Sequence, residues 1–176
     1  EERSQRLLVV DVPDDAEVVD VSQVPALMIA LDQSGNKGFE GTSWDAEGRR
    51  LLVVKERDPM RVMAISGFVD RNEEDPLRLS IEELKASDSP KLFMRDLSSV
   101  SFLPDTGHLL LLSDESKMLV EYGVDGKALS MLGLRMGSAG LRRSIPQAEG
   151  VALDDQGRIF IVSEPNLFYR FLPRAD

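Results

Sequence analysis

Two carboxylates stand at matching places in a repeated stretch of this chain. Glu40 opens the block Glu40-Gly41-Thr42-Ser43-Trp44-Asp45-Ala46-Glu47-Gly48-Arg49-Arg50-Leu51-Leu52-Val53-Val54-Lys55-Glu56. Glu149 opens its near copy, Glu149-Gly150-Val151-Ala152-Leu153-Asp154-Asp155-Gln156-Gly157-Arg158-Ile159-Phe160-Ile161-Val162-Ser163-Glu164. Each block also ends on a glutamate, Glu56 or Glu164, and Asn166 follows the second. A weaker third copy between them places Ser98 at the head and Asp114 at the tail. Carboxylates brought together from separate repeats repel one another unless they are protonated or share a cation. Hard oxygen donors of this kind suit Ca²⁺, which accepts six to eight of them in a tolerant geometry. Glu40, Glu149, Glu164, Glu56 and Asn166 are therefore the candidate metal ligands. The competing reading is structural: Gly lets a strand start close to its neighbour, and Glu bonds nearby backbone.

Other chemistry finds less support. Asp45, Asp154 and Asp155 lack the spacing of an EF-hand loop, and hairpin turn chemistry accounts for them. His108 is the single histidine, at a turn-to-strand position matched by Arg50 and Arg158, and it has no second His or Cys to work with. Gly137-Ser138-Ala139-Gly140 is not a nucleophile elbow, because no strand leads into it. The chain has no cysteine, which removes disulfides and thiolate chemistry. Its net charge of −10, from 31 acidic against 21 basic residues, opposes binding to phosphate backbones. The clusters Arg49-Arg50 and Arg142-Arg143 are too short to form a basic stripe. No run approaches the roughly 18 apolar residues needed to span a bilayer.

The elements that must hold these residues share one grammar. A short strand comes first (Thr42 to Trp44, Val100 to Phe102, Val151 to Leu153), then a turn rich in Asp and Gly. An almost unbroken apolar strand follows: Leu51 to Val54, Leu109 to Leu112, Ile159 to Val162. A run without polar alternation is covered on both faces. A third strand lies at Arg61 to Ile65, Met118 to Val124 and Leu167 to Leu172, and a fourth at Ala128 to Leu134 after the Asp125-Gly126 turn. The expectation is an all-β fold: a β-propeller of four-stranded antiparallel blades. One short inserted helix is predicted at Ser80-Ile81-Glu82-Glu83-Leu84-Lys85, from its capping-box pattern. The chain reads as a single domain over 1–176, divided into a partial blade (1–37), a blade with the helical insertion (38–95), a blade (96–145) and a final blade (146–176). The partial blade is read as two outer strands, Leu7 to Val12 and Glu17 to Val24. About three blades form an incomplete arc, so a dimer or a missing N-terminal fragment is expected to complete it. The chain opens at Glu1 rather than Met, in keeping with the second possibility. Since first strands line the channel of a propeller, Glu40 and Glu149 are expected to face one axis.

Gly38-Phe39-Glu40-Gly41 with Lys55-Glu56-Arg57-Asp58-Pro59, and above all Ile145-Pro146-Gln147-Ala148-Glu149-Gly150-Val151-Ala152 with Ser163-Glu164-Pro165-Asn166-Leu167-Phe168-Tyr169-Arg170-Phe171, resemble the bacterial SdiA-regulated family. The resemblance covers essentially the whole chain. It implies a five-bladed propeller distantly similar to NHL-repeat proteins, with calcium at a shared site and an undefined cellular role. It also implies export, hence a periplasmic or cell-envelope location. Against the family pattern, the resemblance implies that the first blade and the inner strands of the second are to be expected outside this sequence. The function expected is a non-enzymatic propeller binding a protein or small-molecule ligand, with calcium at the central channel. The alternative is a calcium-dependent lactonase or esterase-type hydrolase, in which the ion acts as Lewis acid.

Overall fold

The structure, a computed structural model, describes residues 5–29, 38–70, 76–86 and 93–173. Among them every regular element is a β-strand. β1 (Arg6–Leu8) and β2 (Ala26–Met28) pair as a two-stranded sheet. β3 (Phe39–Asp45), β4 (Arg50–Lys55), β5 (Arg61–Ser66) and β6 (Ser80–Ala86) form a second sheet, in that order. β7 (Ser99–Leu103), β8 (His108–Ser113), β9 (Met118–Tyr122) and β10 (Ala128–Gly133) form a third. β11 (Ala148–Leu153), β12 (Ile159–Ser163) and β13 (Leu167–Phe171) form the last. All pairings are antiparallel between consecutive strands, so each sheet is a meander. The first strands β3, β7 and β11 are neighbours in space, as in an arc of propeller blades.

The tight hairpins follow from their turn residues. Asp45 Oδ1 accepts the Gly48 N–H at 2.9 Å, and its Oδ2 accepts Arg50 Nε–H at 2.7 Å. Asp154 repeats the arrangement, accepting the Arg158 N–H at 2.9 Å and Arg158 Nε–H at 2.6 Å. The aspartate thus holds both the turn and the arginine at the entry to the next strand.

The unbroken apolar strands are explained by two cores, one on each side. On β8, Leu111 enters the core shared with the second sheet, beside Val54, Val62 and Val120. Leu110 and Leu112 point the other way, into the core with Ile145 of the connection before β11 and with Ala148 and Ile161 of the last sheet. β4 does the same: Val54 faces the third sheet, while Val53 joins Leu7, Ile29 and Met63 against the first. Each such fully buried side chain contributes about 1.5–3 kcal/mol. In β12 only one face is covered: Ile161 is fully buried and Val162 is 49% exposed.

Two strand-level expectations are corrected. Ser80 to Lys85 is not a helix but most of strand β6, paired antiparallel with β5 in the register Ser66↔Ser80, Ile65↔Ile81, Ala64↔Glu82 and Met63↔Glu83. A one-turn capping pattern gains little in water, whereas the free edge of β5 offers a full ladder of backbone hydrogen bonds. A bulge between Val62 and Met63 lets Leu84 pack against the neighbouring core. In the first sheet the second strand is Ala26–Met28, not Glu17 to Val24. That stretch is mostly exposed; Asp20 Oδ1 accepts the Ser22 N–H at 2.8 Å, a turn bond that competes with a ladder.

Candidate functional site

The repeated Glu-Gly pairs are β-bulges. In the second sheet Phe39 pairs with Lys55 and Gly41 with Val54, which leaves Glu40 as the extra residue. In the last sheet Ala148 pairs with Ser163 and Gly150 with Val162, which leaves Glu149 in the same position. A bulge inserts one unpaired residue and re-aims its side chain. Here it turns a glutamate of each blade toward the same space.

That space is a cleft of about 250 Å³ where three blades converge. The second sheet contributes Glu40, Glu56 and Arg57. Asp96, Ser98, Asp114 and Glu115 come from the third sheet and its approach, and Gln147 and Glu149 from the last. Six carboxylates therefore face one guanidinium. Arg57 gathers two of them: its Nε–H donates to Glu56 Oε1 at 2.6 Å and its Nη1–H to Glu115 Oε1 at 2.5 Å. Hydrogen bonding to Glu56, with Glu115 adding to it, holds the guanidinium more firmly protonated than usual. Asp114 Oδ1 accepts the buried Ala148 N–H at 2.8 Å and pairs with Lys117 Nζ at 2.5 Å. Asp96, almost fully buried, accepts hydrogen bonds from the Ser113 hydroxyl and the Glu115 N–H. These two aspartates staple turns together as well as lining the cleft.

Glu149 is in a different situation. Partial loss of water is the main influence on its carboxyl, followed by the negative charges of Asp114, Glu164, Asp96 and Glu56. All push it above the usual carboxylate range. The structure thus brings Glu40, Glu56 and Glu149 into one lining and sets Glu164 close enough for its charge to be felt. Asn166 lies on the exposed β12–β13 turn, outside that lining. Among the described residues, no three Asp, Glu or His side chains stand as an assembled metal centre. The donor set is chemically suited to a hard cation, but Glu56, Glu115 and Asp114 are engaged with cationic side chains. A metal would have to displace Arg57 or work from Glu149 outward. His108 is elsewhere, its Nδ1 2.8 Å from Glu121 Oε1 on β9.

Sequence reasoning missed Arg57, Asp96, Glu115 and Gln147 as lining residues. They lie in connections where the three copies diverge, so the repeat carried no signal for them. It also missed Lys55, at the strand end where the other blades have Ser113 and Ser163. Its fully buried side chain donates to the carbonyls of Arg57 at 2.5 Å and Asp58 at 3.2 Å, fixing the loop that carries Arg57.

A family model of SdiA-regulated proteins matches residues 1–172. The chain belongs to the SdiA-regulated family. Among solved structures, a gluconolactonase of Xanthomonas campestris, described as important in glucose secondary metabolic pathways, superposes with a TM-score of 0.53 at 15% identity. The match covers 92% of this family member and 48% of that chain. A glutaminyl cyclase of Myxococcus xanthus gives 0.46 at 12% identity, over 80% and 53%. The chain spans about half the length of these structures. At such identity the gluconolactonase likeness shows a propeller-type fold. No helix among the described residues is long and apolar enough to cross a membrane.

Proposed function

We propose that this protein is a non-enzymatic binding propeller whose acidic cleft takes a calcium ion as part of its ligand site. The observation that carries the reading is Glu149, re-aimed by a bulge into a space where carboxylates of three blades already repel it. A divalent cation relieves that repulsion, and irregular oxygen donors suit Ca²⁺ better than Mg²⁺. Glu149 and Glu40 would be the inner ligands. Glu56 would join once released by Arg57, with Glu164 and Asn166 supplied from the β12–β13 turn. A site with so many pre-engaged donors is weak, in the range that suits the millimolar calcium outside the cytoplasm. A cell-envelope location fits this reading.

The test is thermal unfolding with millimolar CaCl₂, with MgCl₂ and with chelator. A ligand that binds only the folded state raises the melting temperature by mass action. The expected result is a rise with calcium, reversed by chelator and smaller with magnesium. Identical melting curves in calcium and chelator would sink the proposal. Calcium-dependent hydrolysis of an aldonolactone, lost in Glu149→Gln, would instead establish the hydrolase alternative.

A further inference from the structure

From Lys127 to Ala148 the chain carries no Asp or Glu, although acidic residues outnumber basic ones 31 to 21 in the whole sequence. The charges of this stretch are Lys127, Arg135, Arg142 and Arg143. The three arginines lie on the β10–β11 connection, which is a closed loop. Leu134 and Ile145 at its neck are fully buried, and the Ile145 N–H donates to the Leu134 carbonyl at 2.9 Å. Inside the loop, Gly137 N–H donates to Leu141 O at 2.9 Å and Leu141 N–H to Ser138 O at 2.8 Å. The Met136 N–H donates to Ser144 Oγ at 2.9 Å. Gly137, Ala139 and Gly140 take φ values of +87°, +47° and +77°, so the path is defined residue by residue. A compact loop with its ends joined and its own internal bonds presents a fixed surface.

What it presents is unusual for this molecule. Arg142 and Arg143 are exposed and make no ion pair among the described residues, and Met136 is 70% exposed. Arg135 is also exposed and reaches the Ser116 carbonyl at 3.4 Å. The guanidinium fork donates two parallel N–H···O bonds to the two oxygens of a carboxylate, and Arg and Met are both enriched at protein interfaces. Because the loop is already ordered, little conformational entropy is lost on docking. Two adjacent arginines are too few to follow a phosphate backbone, and a lipid surface calls for a larger basic cluster.

We propose that the β10–β11 loop is a docking surface for an acidic segment of a partner protein. Arg142 and Arg143 take its carboxylates, and Met136 covers an apolar side chain between them. The proposal does not depend on the cation cleft.

The test is fluorescence anisotropy of a fluorescein-labelled peptide of Glu interspersed with Leu, titrated with the full chain at low and at physiological salt. Saturable binding that weakens with salt is expected. The Arg142→Glu/Arg143→Glu double variant should bind roughly tenfold more weakly, about 1.4 kcal/mol. Its melting temperature should match that of the wild type, since both side chains are exposed. Met136→Ser should weaken binding a few-fold and leave the salt dependence intact. Equal affinity in wild type and double variant, or no saturable binding, overturns the proposal. So does tighter binding of oligo-dT or phosphatidylserine vesicles through the same arginines.

Discussion

Replacing Gly41 by alanine should separate two blades at the edge of the acidic cleft. A Cβ built at Gly41 would stand 2.9 Å from Ser99 Cα and 2.9 Å from Val100 N, both backbone atoms of the next blade. Ordinary contacts lie at about 3.5–4 Å, so β3 and β7 would have to part by roughly half an ångström or more. Backbone in a packed strand cannot rotate out of the way as a side chain can. The same two strands are joined by the Phe102 N–H donating to Ser43 Oγ at 2.9 Å, and that separation would stretch the bond past its useful range. Overpacking costs about 1–3 kcal/mol, and loss of the hydrogen bond about 1 kcal/mol. Against this, the stiffer unfolded chain of the alanine variant returns about 0.4–1 kcal/mol. The net expectation is a loss of about 2 kcal/mol, a fall in melting temperature of roughly 4–8 °C for a chain of this size. Gly150→Ala is the internal control. Its Cβ would meet only Val162 Cγ2, at 2.5 Å, on a half-exposed side chain that can turn away. It should cost about 1 kcal/mol or less. Thermal and urea unfolding of both variants decides the matter. A Gly41→Ala protein as stable as the wild type, or less affected than Gly150→Ala, would refute the close-approach argument.

Glu149→Gln should stabilise the metal-free protein at neutral pH by less than about 1 kcal/mol, because the side chain is exposed enough for solvent to screen much of the repulsion. A raised folded-state value means wild-type stability from this group is present in acid and lost as pH rises through that value. The gap between variant and wild type should therefore close on acidification, and urea titrations at two pH values check it. Asp114→Ala leaves the buried Ala148 N–H without its acceptor and should cost about 1–3 kcal/mol, whereas Asp114→Asn keeps an acceptor and should cost less. Equal losses in the two variants would show that the Lys117 pair, not the Ala148 bond, matters. The last sheet exposes Val162 and Phe168 at 49% and 65%, Leu172 just after it is 65% exposed, and β13 has no outer strand among the described residues. The chain should self-associate in solution through that face, and a Phe168→Glu variant should reduce it; sedimentation velocity showing only monomer for the wild type would count against this.

Much of the fold was legible because a repeat writes the same physics several times. Asp45 and Asp154 announce hairpins through a bond to a residue within the same turn, a local interaction that any sequence reading can see. The apolar runs at Leu51 to Val54 and Leu109 to Leu112 announce strands buried on both faces, since only flanking sheets remove both sets of side chains from water. Glu40 and Glu149 were marked by recurrence alone. Tertiary structure decided what their positions mean. The bulges that aim them depend on which residue across the ladder is skipped, and register is a property of two strands, not one. Ser80 to Lys85 became a strand because the open edge of β5 outweighed a local helix signal. Arg57, Asp96 and Glu115 reached the cleft through connections whose paths depend on backbone bonds between blades, such as the Leu97 N–H to the Glu56 carbonyl at 3.0 Å. The upward push on the Glu149 carboxyl is likewise tertiary: it comes first from partial loss of water and then from the charges of Asp114, Glu164, Asp96 and Glu56, which only folding brings together.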